Sequence, residues 1–168
     1  MARNVAVAGL LGGVLMLLVM PVLAQEPNVP NARPLSGLRG YRLLPLLLDQ
    51  KSGAVSLNEA VLRAAIETRL KTAGLLAEPA PDVANLSVSV FVMPEEHGVY
   101  GWWAVMQVRQ SARLERQPKA GTVRAVTWYR YAWRLTEKEL LERTVTDALA
   151  SLTEGLIEAH GSGGEFLP

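Results

Sequence analysis

Apolar and polar residues alternate with a period of two along the chain between Trp102 and Arg134. In the first half of this stretch Met106 and Val108 fall on one side of an extended chain, and polar residues fall on the other. Such alternation is typical of a β-strand that packs one side against a core and turns the other to solvent. A turn-forming segment, 116–121, divides the stretch, which therefore predicts a long β-hairpin at the centre of a sheet.

The second arm of the hairpin repeats the alternation, and each arm contains one polar exception. The exceptions are Gln110 and Thr127, which stand at positions that share a side with apolar residues. Counting straight through them gives the outer, solvent-facing side of the hairpin as Trp103, Gln107, Arg109, Arg113, Arg124, Trp128 and Arg130. The same count puts Tyr129, Tyr131 and Trp133 on the other side of the second arm.

The remaining elements follow from similar patterns. A first strand is expected over 38–48, where Pro45 lacks a backbone donor and places the strand at an edge or bends it. Ser56 followed by Glu59 is a capping box, and the apolar stripe behind it predicts a helix to about Ala73. Another alternating strand covers 86–92, and a last amphipathic helix is expected from Thr136 to about His160.

The element order is therefore strand, helix, three strands, helix. Each helix carries one apolar stripe, so the expected fold is α/β of the α+β kind. It consists of a single small antiparallel sheet with two helices packed on one face. The domain is expected to occupy 37–160. A proline-rich flexible linker, 25–36, should precede it, and a disordered tail, 161–168, should follow it.

The first 24 residues have the composition of a signal peptide. Arg3 precedes a long apolar run, Pro21 ends it, and a small-residue site places cleavage between Ala24 and Gln25. Such a signal predicts a periplasmic or secreted protein, in contact with the membrane only through this segment before cleavage. The alternative is an uncleaved N-terminal anchor, because the apolar run approaches the roughly 20 residues that span a bilayer.

The composition narrows the class of protein further. The chain of 168 residues has no cysteine, which excludes a lipid-modified N-terminus, disulfides and thiolate metal sites. It has 17 Lys and Arg against 16 Asp and Glu. Since Arg3 lies in the signal segment, the exported chain is formally neutral. Export across the membrane argues against nucleic acid as a partner.

No catalytic constellation is evident. Glu95, Glu96 and His97 are adjacent in a predicted turn, and with Asp49 they form the basis of an alternative function as a hydrolase-type enzyme. Three adjacent residues cannot all face one ion, so no metal site is predicted, and no cofactor motif occurs. Gly-x-Ser-x-Gly is also absent. The sequence therefore favours a protein that is not an enzyme.

The outer side of the hairpin is the candidate binding surface. Its tryptophans and arginines are residue types that are enriched where partners dock, and they also contact anionic groups. The binding residues predicted from this pattern are Trp103, Arg109, Arg124, Trp128 and Arg130. The expected partner is an envelope protein or an anionic envelope component. Two alternatives remain open: a purely structural face whose long side chains pack across strands, and a homo-oligomer interface. The oligomeric state is not predicted.

Five segments, in this order, resemble a group of uncharacterised bacterial secreted proteins. They are AIETRLKTAGL at 65–75, LSVSV at 86–90, QVRQSARLER at 107–116, AVTW at 125–128 and VTDAL at 145–149. The corresponding family patterns are VE-x-RLR-x-AGI, YLxVxV, VxLxQxVxLxR, AxTW and VxDLVDxF. The chain departs from the group at 156–160, where LIEAH stands instead of an FxNDYLxxNP-like stretch. The resemblance implies an exported α/β domain, similar to those of envelope assembly lipoproteins, and it implies no activity.

Overall fold

The computed structural model describes residues 35, 37–50, 56–94, 96–113, 116 and 121–162. Their strands are β1 (Gly40–Leu43), β2 (Leu47–Gln50), β3 (Val83–Pro94), β4 (Val99–Arg113) and β5 (Thr122–Glu137). Their helices are α1 (Glu59–Thr72) and α2 (Leu141–Ser162), with short 3₁₀ turns at Glu96–Gly98 and Lys138–Leu140. The α+β class and the order of strands and helices are confirmed.

The sheet is mixed, which differs from the fully antiparallel sheet expected from the sequence. β3, β4 and β5 form an antiparallel meander, but β1 and β2 both pair with β3 in the parallel direction. The reason lies in the connection, because α1 stands between β2 and β3. A helical crossover returns the chain to the same end of the sheet, so the next strand runs parallel to the one before it.

Pro45 divides the first predicted strand into two. β1 pairs with β3 at Val83 to Leu86, and β2 resumes the pairing at Ser89. Between them the Leu44 N–H still donates to the Leu86 carbonyl at 2.9 Å. The proline that follows has no N–H to donate. Of the two predicted alternatives, the edge position is confirmed, because β1 and β2 lie at the edge of the sheet that the described residues form.

Both helices cover the same face of the sheet, which we call the inner face. Alternate residues of β3 and β4 turn their side chains to it, and the apolar stripes of α1 and α2 close over them. The fully buried side chains of this core include Tyr41, Leu62, Ile66, Leu70, Leu86, Val88, Val90, Met106, Leu141, Leu149 and Leu156. A single cluster of buried residues thus joins the helices to the sheet.

Helix α1 begins two residues later than the capping box predicts. Asn58 is the N-cap, and its Oδ1 accepts from the N–H groups of Ala60 at 3.0 Å and Val61 at 3.4 Å. Asparagine is as good an N-cap as serine, and the predicted start at Ser56 is wrong by two residues. The other end follows the prediction, because Gly74 has φ of 70° and the next N–H donates to the Leu70 carbonyl at 2.8 Å.

Helix α2 also begins later than predicted, because β5 continues to Glu137 and a 3₁₀ turn intervenes. Near its other end, His160 Nδ1 and the hydroxyl of Tyr41 form a hydrogen bond of 2.8 Å. The two rings meet edge to face, with centroids 5.5 Å apart. This contact ties the end of α2 to β1 on the inner face.

The described residues bear on the predicted boundaries only in part. Leu35 is buried in the core although the predicted linker ran to residue 36, so the packed domain reaches back at least to this residue. Helix α2 extends to Ser162, into the predicted tail. The signal segment, its cleavage between Ala24 and Gln25, and the last six residues lie outside the described ranges.

Candidate functional site: the outer face of the sheet

The face of the sheet opposite the helices, which we call the outer face, is built by a register shift in the hairpin. Val108 pairs with Trp128, but the next residue of β4, Arg109, pairs with Val126. Thr127 is therefore an extra residue in β5, a β-bulge, which moves the strand beyond it by one position. Since side chains alternate with a period of two, one extra residue exchanges the two sides of the strand.

The bulge contradicts the outer-face placement of two of the five predicted binding residues. Trp128 pairs with the buried Val108, Arg130 pairs with the buried Met106, and both therefore lie on the inner face. Only 4% of Trp128 is exposed. Placing these two residues on the outer face was wrong, because the count along the sequence ran straight through the extra residue.

Arg130 has a specific packing position under α2. A Cβ built on Gly155 would collide with the Arg130 guanidinium, so the missing side chain of this helical glycine makes room for the cation. The guanidinium carbon also lies 6.0 Å from the centre of the Trp128 ring, within cation–π range. Arg130 thus belongs to the contact between β5 and α2, and Trp128 is buried beside it.

The other three predicted residues lie on the outer face. Trp103 is 47% exposed and pairs with Trp133, which is 56% exposed. Arg109 and Arg124 are exposed at the other end of the hairpin, beyond the bulge. The tryptophan and the arginines therefore share a face, but they occupy opposite ends of it.

The bulge also brings apolar side chains of β5 to the outer face, where the sequence reasoning did not place them. We call this group the aromatic zone: Phe91, Met93, Trp103, Tyr129, Tyr131, Trp133 and Leu135. The rings of Phe91 and Trp103 are in contact, with centroids 5.7 Å apart and planes tilted by 41°. Apart from Phe91, which is half-buried, every member of the zone is among the exposed large hydrophobic residues.

A shallow hollow of about 420 Å³ opens at one end of the aromatic zone. Gly101 pairs with Met93 on one side and with Leu135 on the other, so the middle position of this row has no side chain. The tryptophans Trp103 and Trp133 line the hollow from the next row. The arrangement offers a nearly wholly apolar depression that fits a hydrophobic side chain of a partner.

The opposite end of the outer face is polar and basic. A second hollow of about 210 Å³ is lined by Asn85, Gln110 and Ser111 together with the two exposed arginines. The Arg109 guanidinium donates to the side-chain amide oxygen, Oε1, of Gln107 at 2.9 Å, along the strand. This end has positive charge, whereas no member of the aromatic zone is charged.

The sequence did contain a sign of the bulge. Gln110 and Thr127, the two polar exceptions to the alternation, meet across the hairpin, and the Gln110 amide donates to the Thr127 hydroxyl at 2.7 Å. The hydroxyl lies 3.5 Å from the Val108 carbonyl. Two polar residues facing each other in otherwise alternating arms would have pointed to an irregular register at that position.

The residues of the hydrolase alternative do not form a described cleft. His97 is exposed on the turn between β3 and β4, with a left-handed backbone at φ 60° and ψ 29°. Asp49 pairs with Phe91 within the sheet, and Glu95 lies outside the described residues. Across the described ranges, no group of three His, Asp or Glu side chains is placed to hold a metal ion.

Burial shifts the pKa values of two groups on the inner face. Burial raises the pKa of Tyr41 well above its ordinary value, so its hydroxyl stays protonated. Burial also lowers the pKa of His160, its partner, because the charged ring loses solvation. Neither group lies on the outer face, and their contact is structural.

Comparison with known proteins gives little guidance. No protein-family model matches the chain, and no curated protein matches it. Among solved structures, a minor lipoprotein from Acinetobacter baumannii is similar with a TM-score of 0.35 and 11% identity. The match covers 71% of this chain and 91% of that one. Likeness at this level assigns neither a fold nor a function, and the resemblance noted from the sequence motifs stays a prediction.

Of the two described helices, neither has the length and apolar character needed to cross a bilayer.

Proposed function

We propose that this protein is a non-enzymatic binding module of the bacterial envelope, and that it docks a protein partner on the outer face of its sheet. The observation that carries the proposal is the aromatic zone. Tryptophan, tyrosine and methionine are the residues that interfaces concentrate, and here they form one connected group on a face that no described helix covers.

The exposed residues of the aromatic zone are unusual because they adjoin one another. Single exposed hydrophobic residues are common on soluble proteins, but a contiguous patch marks an interaction site. Trp103 and Trp133 face each other across β4 and β5, and Leu135 borders the same hollow with 58% of its surface exposed. Removing this surface from water on docking would supply the hydrophobic part of the binding free energy.

The envelope location is supported by the N-terminal sequence, with its basic start, apolar run and cleavage site before Gln25. The formal neutrality of the exported chain and the absence of cysteine suit a module that is held by its own core. The polar end of the face, with Arg109 and Arg124, would add charge selection at the rim of the contact.

Site-specific photo-crosslinking in the native host tests the proposal. A photoreactive phenylalanine analogue replaces Tyr131 in the aromatic zone or, as a control, Arg143 on the solvent side of α2. We expect a discrete crosslinked product in the envelope fraction with the analogue at Tyr131 and none with the control. Equal crosslinking at both positions, or recovery of the protein outside the envelope fraction, would contradict the proposal.

A further inference from the structure

Strand β5 is the last strand of the sheet that the described residues form, and one of its two edges has no described partner strand. The order is β1-β3-β4-β5, with β2 continuing beside β3. Within the described part of the chain no strand pairs with the far edge of β5, and no loop hydrogen bond reaches its backbone. An open edge presents a row of N–H and C=O groups that can pair with another extended chain.

The two sides of β5 next to this edge differ sharply in chemistry. On the C-terminal side of the bulge, the outer side of β5 presents four exposed residues in turn: Tyr129, Tyr131, Trp133 and Leu135. The inner side presents Arg130 and Arg134, with the small Ala132 between them. The apolar surface of the outer face is thus concentrated beside the open edge, and the positive charge lies on the other side of the same strand.

The positive charge of this strand is not neutralised within the described structure. No acidic residue occurs between Thr122 and Thr136, and neither Arg130 nor Arg134 is in an ion pair with a described residue. In one register a second copy would bring like charges together at this edge. Antiparallel pairing of two β5 strands about Ala132 sets Arg130 of each copy opposite Arg134 of the other, and like charges directly opposite are destabilising.

We propose that the open edge of β5, from Trp128 to Glu137, pairs with an extended segment of a protein partner in which apolar and acidic residues alternate. The apolar side chains of that segment lie beside the aromatic zone, and its carboxylates lie opposite Arg130 and Arg134. This inference rests on the proposed function and names its partner class. Strand addition of this kind draws affinity from main-chain hydrogen bonds and specificity from alternate side chains.

Synthetic peptides test the pairing against the full chain purified in mild detergent. The first probe is a fluorescent peptide of alternating valine and glutamate, and the second has lysine in place of every glutamate. A third keeps the valine–glutamate sequence but carries N-methyl groups on alternate amides along one edge, which removes the donors that a strand ladder needs. Binding is measured by fluorescence anisotropy at low and moderate salt.

We expect the valine–glutamate peptide to bind, and the lysine and N-methyl peptides to bind at least tenfold more weakly. Added salt should weaken the binding of the acidic peptide, because salt partly screens its electrostatic attraction to Arg130 and Arg134.

Charge reversal on the strand provides the matched variants. Arg134→Glu and Arg143→Glu change the net charge equally, and both residues are exposed, so both variants should keep the fold, as circular dichroism would verify. We expect Arg134→Glu to lower the affinity for the acidic peptide about fivefold and to raise the affinity for the lysine peptide. The reason is that the substitution replaces a cross-strand attraction to the acidic peptide by a repulsion. Arg143→Glu should leave both affinities unchanged.

Three results would overturn the inference. Equal binding of the acidic and lysine peptides would remove the charge selection, and equal binding of the N-methyl peptide would remove the strand pairing. Self-association in light scattering that Arg134→Glu strengthens would assign the edge to a second copy. Crosslinking at Tyr131 in the host is independent of these peptides. The proposed function therefore survives if the peptides fail and the crosslink persists, and falls if the crosslink is absent.

Discussion

The two faces of the sheet carry the same kinds of residue, but one face is packed in the core and the other is exposed. Each face of β5 carries a tryptophan: Trp128 is buried on the inner face, and Trp133 is exposed in the aromatic zone on the outer face. The difference comes from which side of the sheet the helices cover. It teaches that residue type alone does not separate a core from an interface, whereas the register of one strand does.

The inner face should account for most of the stability and the outer face for most of the binding. Side chains already packed inside the domain lose contacts when they are truncated, whereas exposed side chains lose few until a partner is present. Mutations placed on matched positions of the two faces would separate these roles.

The largest expected effect is on Trp128. Trp128→Ala removes a buried indole, which is also the cation–π partner of Arg130. The substitution should lower the free energy of unfolding by about 3–5 kcal/mol. Trp133→Ala on the same strand should change it by less than about 0.5 kcal/mol. Urea unfolding followed by circular dichroism measures both, and similar losses for the two variants would refute the division between the faces.

Two glycines give a sharper comparison of close contacts within the fold. A Cβ at Gly40 would meet the Leu75 carbonyl oxygen at 2.6 Å, and this backbone atom cannot move without disturbing the sheet edge. Gly40→Ala should therefore cost about 2–3 kcal/mol. A Cβ at Gly155 meets only the flexible end of Arg130, and alanine gains about 1 kcal/mol of helix propensity.

Gly155→Ala should accordingly stay within about 1 kcal/mol of the natural protein. Thermal unfolding of both variants at one pH distinguishes the two kinds of close contact. If Gly155→Ala costs as much as Gly40→Ala, the Arg130 side chain is held far more rigidly than its length implies.

The next effect concerns the helix that closes over the inner face. Asn58→Ala removes the oxygen that caps α1 and should cost about 1 kcal/mol. Ser56→Ala, at the start that the sequence predicted, should cost much less. Denaturant unfolding of the pair checks this, and the reverse order of losses would restore the capping box as the true start.

The smallest effect should be a pH dependence from His160. Burial lowers the pKa of this residue in the folded state, so at pH values below about 6.5 the unfolded chain binds the proton first. Stability from this group is present above pH 6.5 and is lost as pH falls through the lowered pKa. The fall in Tm between pH 7.5 and pH 5 should therefore be smaller in His160→Gln, and an unchanged fall would show that the ring titrates normally.

The sequence predicted the elements and their order because alternation and helical stripes are local signals. Met106 and Val108 are buried as the pattern indicated, and α1 ends close to Ala73 as expected. The parallel pairing of the first strand was missed, since the pattern of one strand does not state the direction of its neighbour. That direction depends on the crossover through α1.

The candidate site was predicted less well than the fold. Trp103, Arg109 and Arg124 lie on the expected face, but Trp128 and Arg130 do not, and the exposed residues Tyr131 and Trp133 were assigned to the wrong side. One inserted residue in β5 causes all of these errors at once. A bulge depends on the pairing between strands, and a single strand read alone does not reveal it.

The division of the first strand at Pro45 has a consequence for how the chain reaches this structure. β3, β4 and β5 pair with their neighbours in sequence, so their meander closes short loops and is favoured early in folding. β1 and β2 are four residues each, and they meet β3 only across the whole of α1. Each short strand gains few backbone hydrogen bonds when it pairs, whereas closing the long loop through α1 costs conformational entropy. This edge is therefore expected to be the last part of the sheet to form and the first to open.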